Sequence, residues 1–224
     1  YNTDFEHSNY YIKSKIWAEE LLRRKAKAPF FIYRVANLTP TFNTGKFQEN
    51  ADDNAFMNTM KFYFNLNMIP AFKQKIYDFS FVDQTADAIN KIIFSTIQDQ
   101  SQQQIFHLTN PNKISDVDMG GMIKSYWNDF KVRPILAIID EFRENLDKEK
   151  YFKVLEDYIA NSKVLESTSG NQTQYLVSSA LTGRELLNLD FQWKKPNAMY
   201  FSKFLKHLED IGFVSEKKRS DELD

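Results

Sequence analysis

The fold is decided by Tyr11-Ile12-Lys13-Ser14-Lys15 and by Phe30-Phe31-Ile32-Tyr33-Arg34-Val35, the apolar run that follows it. Asn9 or Ser8 can cap a helix that begins just before the first stretch, and good helix formers continue it to a point before Pro29. The run at 30–35 is short, aromatic and β-branched, which is typical of a buried parallel strand. The sequence therefore predicts a helix, a buried strand and then a polar loop at 37–40.

Tyr11 and Lys15 form a candidate proton-donating pair. Four residues apart on a helix, they share one face, so the ammonium of Lys15 can favour the ionised form of the Tyr11 phenol. Such a tyrosine is a usable acid near neutral pH. The spacing alone is more typical of a surface tyrosine beside a solvated lysine, because the chain has eleven tyrosines and many lysines. The surrounding sequence has to decide between the two interpretations.

Two motifs together resemble the extended short-chain dehydrogenase/reductase family. In that family a Tyr-x-x-x-Lys pair lies on a helix, and the next strand ends in a loop that faces the nicotinamide, which is the order of 11–15 and 30–38 here. The segment 77–89 resembles the family's Arg-Asp-Phe motif leading into a helix, with Tyr77 where arginine is usual. The resemblance implies an α/β fold, namely the C-terminal part of a Rossmann-like doubly wound parallel sheet with a mostly helical substrate-binding subdomain.

Three further segments resemble the terminal thioester reductase domains of nonribosomal peptide synthetases. Residues 33–39 resemble their Tyr-Arg-Val-Gly-Asn-Leu-Thr, and residues 45–56 their Gly-Lys-Phe-Gln-x-Asn…Asn-x-Phe. Residues 189–193 and 211–213 resemble their closing Gly-Phe-x-Trp and Gly-Phe, although Ala36 and Asp190 stand where those domains have glycine. The resemblance implies NADPH-dependent reductive release of an acyl or peptidyl thioester, held on a phosphopantetheinyl carrier protein, as an aldehyde or alcohol.

The resemblance also implies roles for individual residues. Tyr11 would donate a proton to the developing oxyanion, Lys15 would tune Tyr11 and bind the nicotinamide ribose, and Ala36, Asn37 and Leu38 would lie at the nicotinamide. A loop at the end of a strand needs hydrogen bonds in any case, so a purely structural role for 36–38 stays open. Two alternative functions also stay open: a nucleotide-sugar epimerase or dehydratase of the same extended family, and a non-catalytic carrier-docking fragment.

The dinucleotide fingerprint is absent from the chain. That fingerprint needs glycines on a strand-to-helix turn so that backbone amides can approach the pyrophosphate, and the whole chain has six glycines without this spacing. Gly45-Lys46 does not form a phosphate loop, because Phe47 stands where a hydroxyl residue is required. The third residue of the family's site, a Ser or Thr upstream of the tyrosine, cannot be assigned either. We therefore expect a C-terminal piece of a larger reductase domain, inactive alone, whose partner is the missing N-terminal half.

Composition excludes several classes of function. The net charge of −1 argues against a nucleic-acid binder, and no apolar run approaches a membrane span. The absence of cysteine suits the cytoplasm. The three histidines are too scattered to indicate a metal site.

The order of predicted elements divides the chain near residue 110. Residues 1–110 are predicted to form the C-terminal half of a Rossmann-like NADP-binding domain, with an insertion at about 40–76, and 111–224 to form the mostly helical substrate- and carrier-facing subdomain. Helices are predicted at 56–68, 85–97, 115–127, 138–146, 150–160, 179–187 and 197–211, a strand at 105–108, and polar linkers at 98–104 and 162–174. Ser115 can cap the helix at 115–127. The phenylalanine-rich segment 56–64 is interpreted as core rather than as an acyl pocket, Asp83 as a helix cap rather than a catalytic acid, and His107 as a packing residue.

Overall fold

The computed structural model describes residues 10–71, 76–98, 105–134 and 179–215. The predicted linkers at 98–104, apart from Gln98, and at 162–174 lie outside these residues, as do the predicted helices at 138–146 and 150–160. The helices are α1 (Tyr10–Lys25), α2 (Ala55–Leu66), α3 (Val82–Gln98), α4 (Asp116–Lys124), α5 (Ala180–Asn188) and α6 (Ala198–Asp210). Within the described residues, no helix is both long and apolar enough to cross a membrane.

The strands are β1 (Ile32–Val35), β2 (Leu38–Thr39), β3 (Met68–Ala71), β4 (Ile76–Tyr77), β5 (Ser80–Phe81), β6 (Ile105–Leu108), β7 (Ile114–Ser115) and β8 (Lys131–Pro134). They pair two by two. The pairs β1–β6, β2–β5 and β3–β8 are parallel, and β4–β7 is antiparallel. Parallel pairing with intervening helices confirms the predicted α/β class.

Within the described ranges, the predicted helices and strands are present, with shifted ends. The loop predicted at 37–40 is wrong in part, because Leu38 and Thr39 form β2 against Ser80 and Phe81. Two residues are too few for an alternating pattern to show in the sequence. The helix predicted at 115–127 ends at Lys124, after which the backbone N–H groups of Tyr126 and Trp127 both bond to the Ile123 carbonyl in a turn.

Side-chain caps fix where several helices begin. The Asn54 side chain accepts from the Met57 N–H at the start of α2, and the Asn197 side chain accepts from Tyr200 N–H at the start of α6. Ser115 caps α4 as predicted, in a capping box with Asp118. These caps satisfy N–H groups that have no partner inside the helix.

The buried apolar residues form two clusters. The large cluster joins α2, β3, β4, β5, α4 and α6, and includes Met57, Met60, Phe62, Tyr63 and Phe64, so the prediction that segment 56–64 is core is confirmed. The small cluster joins β1, α3, β6 and the end of α5, and is built on Ala88, Ile92, Phe106, Leu108, Leu186 and Phe191. Each cluster draws on both sides of residue 110, and the domain boundary there stays a prediction.

Candidate active site

An ion pair fixes how α1 lies on the sheet. Arg34, the third residue of β1, binds Glu19 of α1 through two hydrogen bonds, Nε to Oε1 at 2.9 Å and a terminal nitrogen to Oε2 at 2.5 Å. Both side chains are largely shielded from solvent, and the Arg34 hydrogen bond lowers the pKa of the Glu19 carboxyl. Such a bidentate pair is stronger and more directional than a single contact. It therefore anchors the middle of α1 to the end of β1.

A short connection leads from α1 to β1. Six residues join Lys25 to Ile32. Lys15 and Tyr11 lie one and two turns before Glu19, about 6 and 12 Å along the helix axis. The spacing of four also puts all three on one face of α1.

The structure places the predicted pair on this helix. Tyr11 is in the first turn of α1, and its side chain lies outside what the structure describes. Lys15 is exposed to solvent. Their shared role as a proton-donating pair stays a prediction.

The predicted cofactor residues lie where β1 ends. The Ala36 N–H donates to the Leu108 carbonyl at 3.0 Å, which extends the β1–β6 pairing by one bond. Asn37 and Leu38 are exposed, and Thr39 is fully buried as the chain enters β2. The loop 36–38 is therefore held from both sides and open to solvent, at the carboxyl end of parallel strands where ligands bind in such sheets.

His107 lies beside this site on the neighbouring strand. It pairs in register with Arg34, and its Nε2 is 3.4 Å from an Arg34 guanidinium nitrogen. Burial, and then the nearby Arg34 charge, lower the pKa of the imidazole. The backbone N–H of His107 donates to the Thr182 hydroxyl at 3.0 Å, and this bond ties β6 to α5. His107 thus makes the packing and hydrogen-bonding contacts expected of it.

The motif at 77–89 forms a polar junction. Asp78 accepts from the hydroxyls of Ser80 (2.8 Å) and Thr109 (2.6 Å) and from the Lys113 ammonium at 2.5 Å. Asn110 is fully buried and donates from its side-chain amide to the carbonyls of Phe79 and of residue 194, at 2.8 and 2.9 Å. The junction holds the end of β6 against β5 and against the segment after α5.

The contacts made by Asp78, Asn110 and Lys113 join segments about 30 residues apart and could not be predicted from the sequence. Asp83 lies in the first turn of α3, one residue after the helix begins. Its carboxylate accepts the backbone N–H of Gln84 in that turn (3.0 Å) and also those of Phe42 (3.0 Å) and Asn43 (3.3 Å). It therefore satisfies an N–H group at the start of its own helix, the task of the predicted cap, and in addition holds the loop after β2.

Comparison with known families matches residues 1–89 to an NAD-binding family described as Male sterility protein. The match indicates a nicotinamide dinucleotide, NAD or NADP, as the cofactor for this part of the chain. Curated proteins gave no match.

Solved reductase domains have a similar fold. A thiolation-reductase di-domain from an archaeal non-ribosomal peptide synthetase has a TM-score of 0.65 at 23% identity, over 95% of this chain and 49% of its own. The terminal R domain of the myxalamid PKS-NRPS biosynthetic pathway has a TM-score of 0.75 at 20% identity, over 94% of this chain and 52% of the solved chain. The aureusimine biosynthetic cluster reductase domain has a TM-score of 0.56 at 19% identity, over 89% of this chain and 49% of the solved chain.

These likenesses confirm the predicted fold, the Rossmann-like α/β fold of reductase domains. The predicted resemblance to terminal reductase domains is confirmed at this level. The chain spans about half the length of the three solved chains.

Proposed function

We propose that this chain is part of an enzyme that uses NADPH to reduce an acyl or peptidyl thioester held on a phosphopantetheinyl carrier protein. The product is an aldehyde or, after a second hydride transfer, an alcohol. The observation that carries the proposal is the Glu19–Arg34 anchor, because it ties the helix that contains Tyr11 and Lys15 to the strand that runs into the open loop 36–38. The fold shared with reductase domains supports it.

The described residues fit one end of the cofactor. The exposed loop 36–38 and the exposed Lys15 suit the nicotinamide and its ribose. The pyrophosphate has no glycine-rich cradle in the described residues, and Gly45 packs instead against the backbone of α6. The chain alone is therefore expected to bind NADPH more weakly than micromolar and to turn over no substrate.

The chemistry needs one proton donor at the carbonyl oxygen. NADPH, when bound, supplies the hydride that reaches the carbonyl carbon. Tyr11 gives its phenolic proton to the carbonyl oxygen, and the Lys15 ammonium stabilises the phenolate that remains. The carbon–sulfur bond of the resulting hemithioacetal then breaks, its hydroxyl proton returns to the Tyr11 phenolate as the aldehyde forms, and the carrier thiolate leaves and takes a proton from solvent. One NADPH and one proton are consumed for each aldehyde released.

Substitution of the pair in the whole enzyme tests the proposal. Tyr11→Phe is expected to lower the rate of thioester reduction by about 10²- to 10⁴-fold with little change in NADPH affinity, because only the proton donor is lost. Lys15→Met should lower both the rate of thioester reduction and the affinity for NADPH. The measurement is NADPH oxidation with an acyl thioester, together with a cofactor titration.

Neighbouring residues supply the matched controls. Tyr10 is 88% exposed, so Tyr10→Phe removes the same hydroxyl one residue away, and Lys13→Met removes the same charge from the other side of the turn. Both should keep wild-type rates. Unchanged turnover of Tyr11→Phe, under conditions where chemistry limits the rate, would remove Tyr11 from the catalytic role. Turnover of a nucleotide sugar in place of the thioester would favour the epimerase or dehydratase alternative.

A further inference from the structure

A cleft of about 420 Å³ lies between the end of β6, helix α5 and the segment after α5. His107 and Thr109 line it from the β6 side, Gly183, Arg184 and Leu187 from α5, and Trp193 from the following segment. This volume is within the range of small-molecule sites. The Asp78 and Asn110 junction holds one wall of the cleft, so the cleft is built on fixed elements.

The cleft has an apolar floor and a charged rim. Leu186 and Phe191 are 2% and 5% exposed and form the floor, while Arg184 and Leu187 are exposed at the rim. Arg184 is the one cation among the described lining residues, and none of them is an aspartate or glutamate. The cleft therefore suits a ligand with an anionic group at the surface and a less polar chain directed inward.

The inner end of the cleft lies next to the candidate active site. His107 and Thr109 flank Leu108, whose carbonyl accepts from the Ala36 N–H. Adjacent strands lie about 4.8 Å apart. A chain that enters at Arg184 and ends at Thr109 therefore stops one strand away from the loop 36–38.

We propose that this cleft admits the phosphopantetheine arm of the carrier, with the phosphate at Arg184 and the pantetheine chain over Leu187 and Trp193. This rests on the proposed function and assigns the path by which its substrate enters. The arm has the required chemistry, since its phosphate is attached to the carrier outside the enzyme and its thiol end must reach the site of reduction.

Gly183 offers a direct test. It lies within α5, and a Cβ at this position would meet no atom within 4 Å, so a larger side chain can extend into the cleft without a clash. Leucine is also favoured over glycine in a helix by roughly 1 kcal/mol. Gly183→Leu should therefore fold at least as well as the wild type and still bind 4′-phosphopantetheine at least tenfold more weakly. Gly121 of α4 has equal free space and does not line the cleft, so Gly121→Leu is the matched control.

The measurement is titration of the full chain with 4′-phosphopantetheine, by calorimetry and by Trp193 fluorescence, with melting curves for each variant. Arg184→Gln should weaken binding of 4′-phosphopantetheine about tenfold and leave binding of pantetheine, which lacks the phosphate, unchanged. Lys195→Gln, the same change close to the cleft but outside its lining, should have less than a twofold effect.

Two results would overturn the assignment: wild-type affinity in Gly183→Leu, or no saturable binding of 4′-phosphopantetheine by the wild-type chain. Binding is measured without NADPH and without turnover. If the arm binds in the cleft and the whole enzyme reduces no thioester, the cleft assignment stands and the proposed function fails.

Discussion

Gly45 combines a left-handed backbone with close contact to a neighbouring helix. Its φ is 71°, and a Cβ there would lie 2.5–2.6 Å from backbone atoms of Lys203 and Phe204 in α6. Gly212 has a similar φ of 67°, and a Cβ there would meet nothing within 4 Å. The two glycines therefore separate backbone strain from crowding.

Alanine at these two positions should have unequal effects on stability. Gly212→Ala adds the left-handed strain alone, about 1–2 kcal/mol. Gly45→Ala adds the same strain and also forces the loop away from a helix backbone that cannot move aside, so its cost should exceed that of Gly212→Ala by at least about 1 kcal/mol. Chemical denaturation of both variants measures the difference. Equal losses would show that the loop at Gly45 shifts freely.

The same residues show where prediction from sequence stops. Ser115 is recognisable as a cap from sequence, because a cap and its helix are adjacent in the chain. Asp83 is recognisable at the start of a helix for the same local reason, yet its carboxylate also accepts N–H groups about 40 residues earlier. The Asp78–Lys113 ion pair likewise joins distant segments. Long-range polar contacts of this kind leave no pattern in sequence spacing.

At the scale of elements, the helices and the strands β1 and β6 follow from local patterns, whereas β3 and β8, which are equally long, and the two-residue strands do not. β1 and β6 were predicted because each is an apolar run long enough to be recognised. β2, β4, β5 and β7 have two residues each and exist through their pairing partners. The candidate site depends on β1 and β6, so its position could be predicted, whereas the cleft depends on how α5 packs on β6 and could not.

The segment 41–47 lies across α6 and depends on a neutral histidine. The Phe47 N–H donates to Nε2 of His207 at 3.4 Å, and the Lys203 ammonium donates to the Asn43 carbonyl at 2.9 Å. Burial, and then the nearby Lys46 charge, lower the pKa of His207, while Asp210 opposes the shift in part. Protonation removes the acceptor for Phe47 and adds a second cation beside Lys46.

Stability should therefore fall as the medium becomes acidic. Because the pKa of His207 is lower in the folded chain than in the unfolded chain, the unfolded chain binds more protons below about pH 6.5, and folding weakens through that range. His107 has a pKa shifted in the same direction and adds to the effect. Melting temperatures at pH 7.5 and 5.5 should show a loss that is smaller in His207→Gln, which keeps an acceptor that does not titrate.

His107→Gln is the control variant in this test. It removes the other histidine whose pKa is lowered and leaves the contact between 41–47 and α6 intact. An acid-induced loss that is the same in the wild type and in His207→Gln would show that this contact does not depend on the charge of His207.

At the scale of the molecule, one side of α1 presents apolar side chains that no other described residue covers. Tyr10, Trp17 and Leu21 of α1 are 88%, 61% and 60% exposed, and their spacing places them along one side of the helix. Beside α1, within the described residues, β1 pairs on one edge alone, with β6. Exposed apolar side chains next to an unpaired strand edge are typical of a surface that binds another chain or segment.

We predict that the other half of the reductase domain covers this surface. The solved reductase chains are about twice as long as the part of them that this chain matches, which leaves room for such a half. Alone, the chain should self-associate, and it should form a one-to-one complex with a separately produced N-terminal half that restores NADPH binding. Light scattering follows the association and a cofactor titration follows NADPH binding.

Trp17→Glu and Leu21→Glu together should weaken both the self-association and the complex with the N-terminal half at least tenfold, because burial of two carboxylates at an apolar contact is unfavourable. Met199→Glu, at a position 67% exposed on α6, should change neither. A chain that is monomeric and does not bind the N-terminal half would mean that this face of α1 is an ordinary solvent-exposed surface.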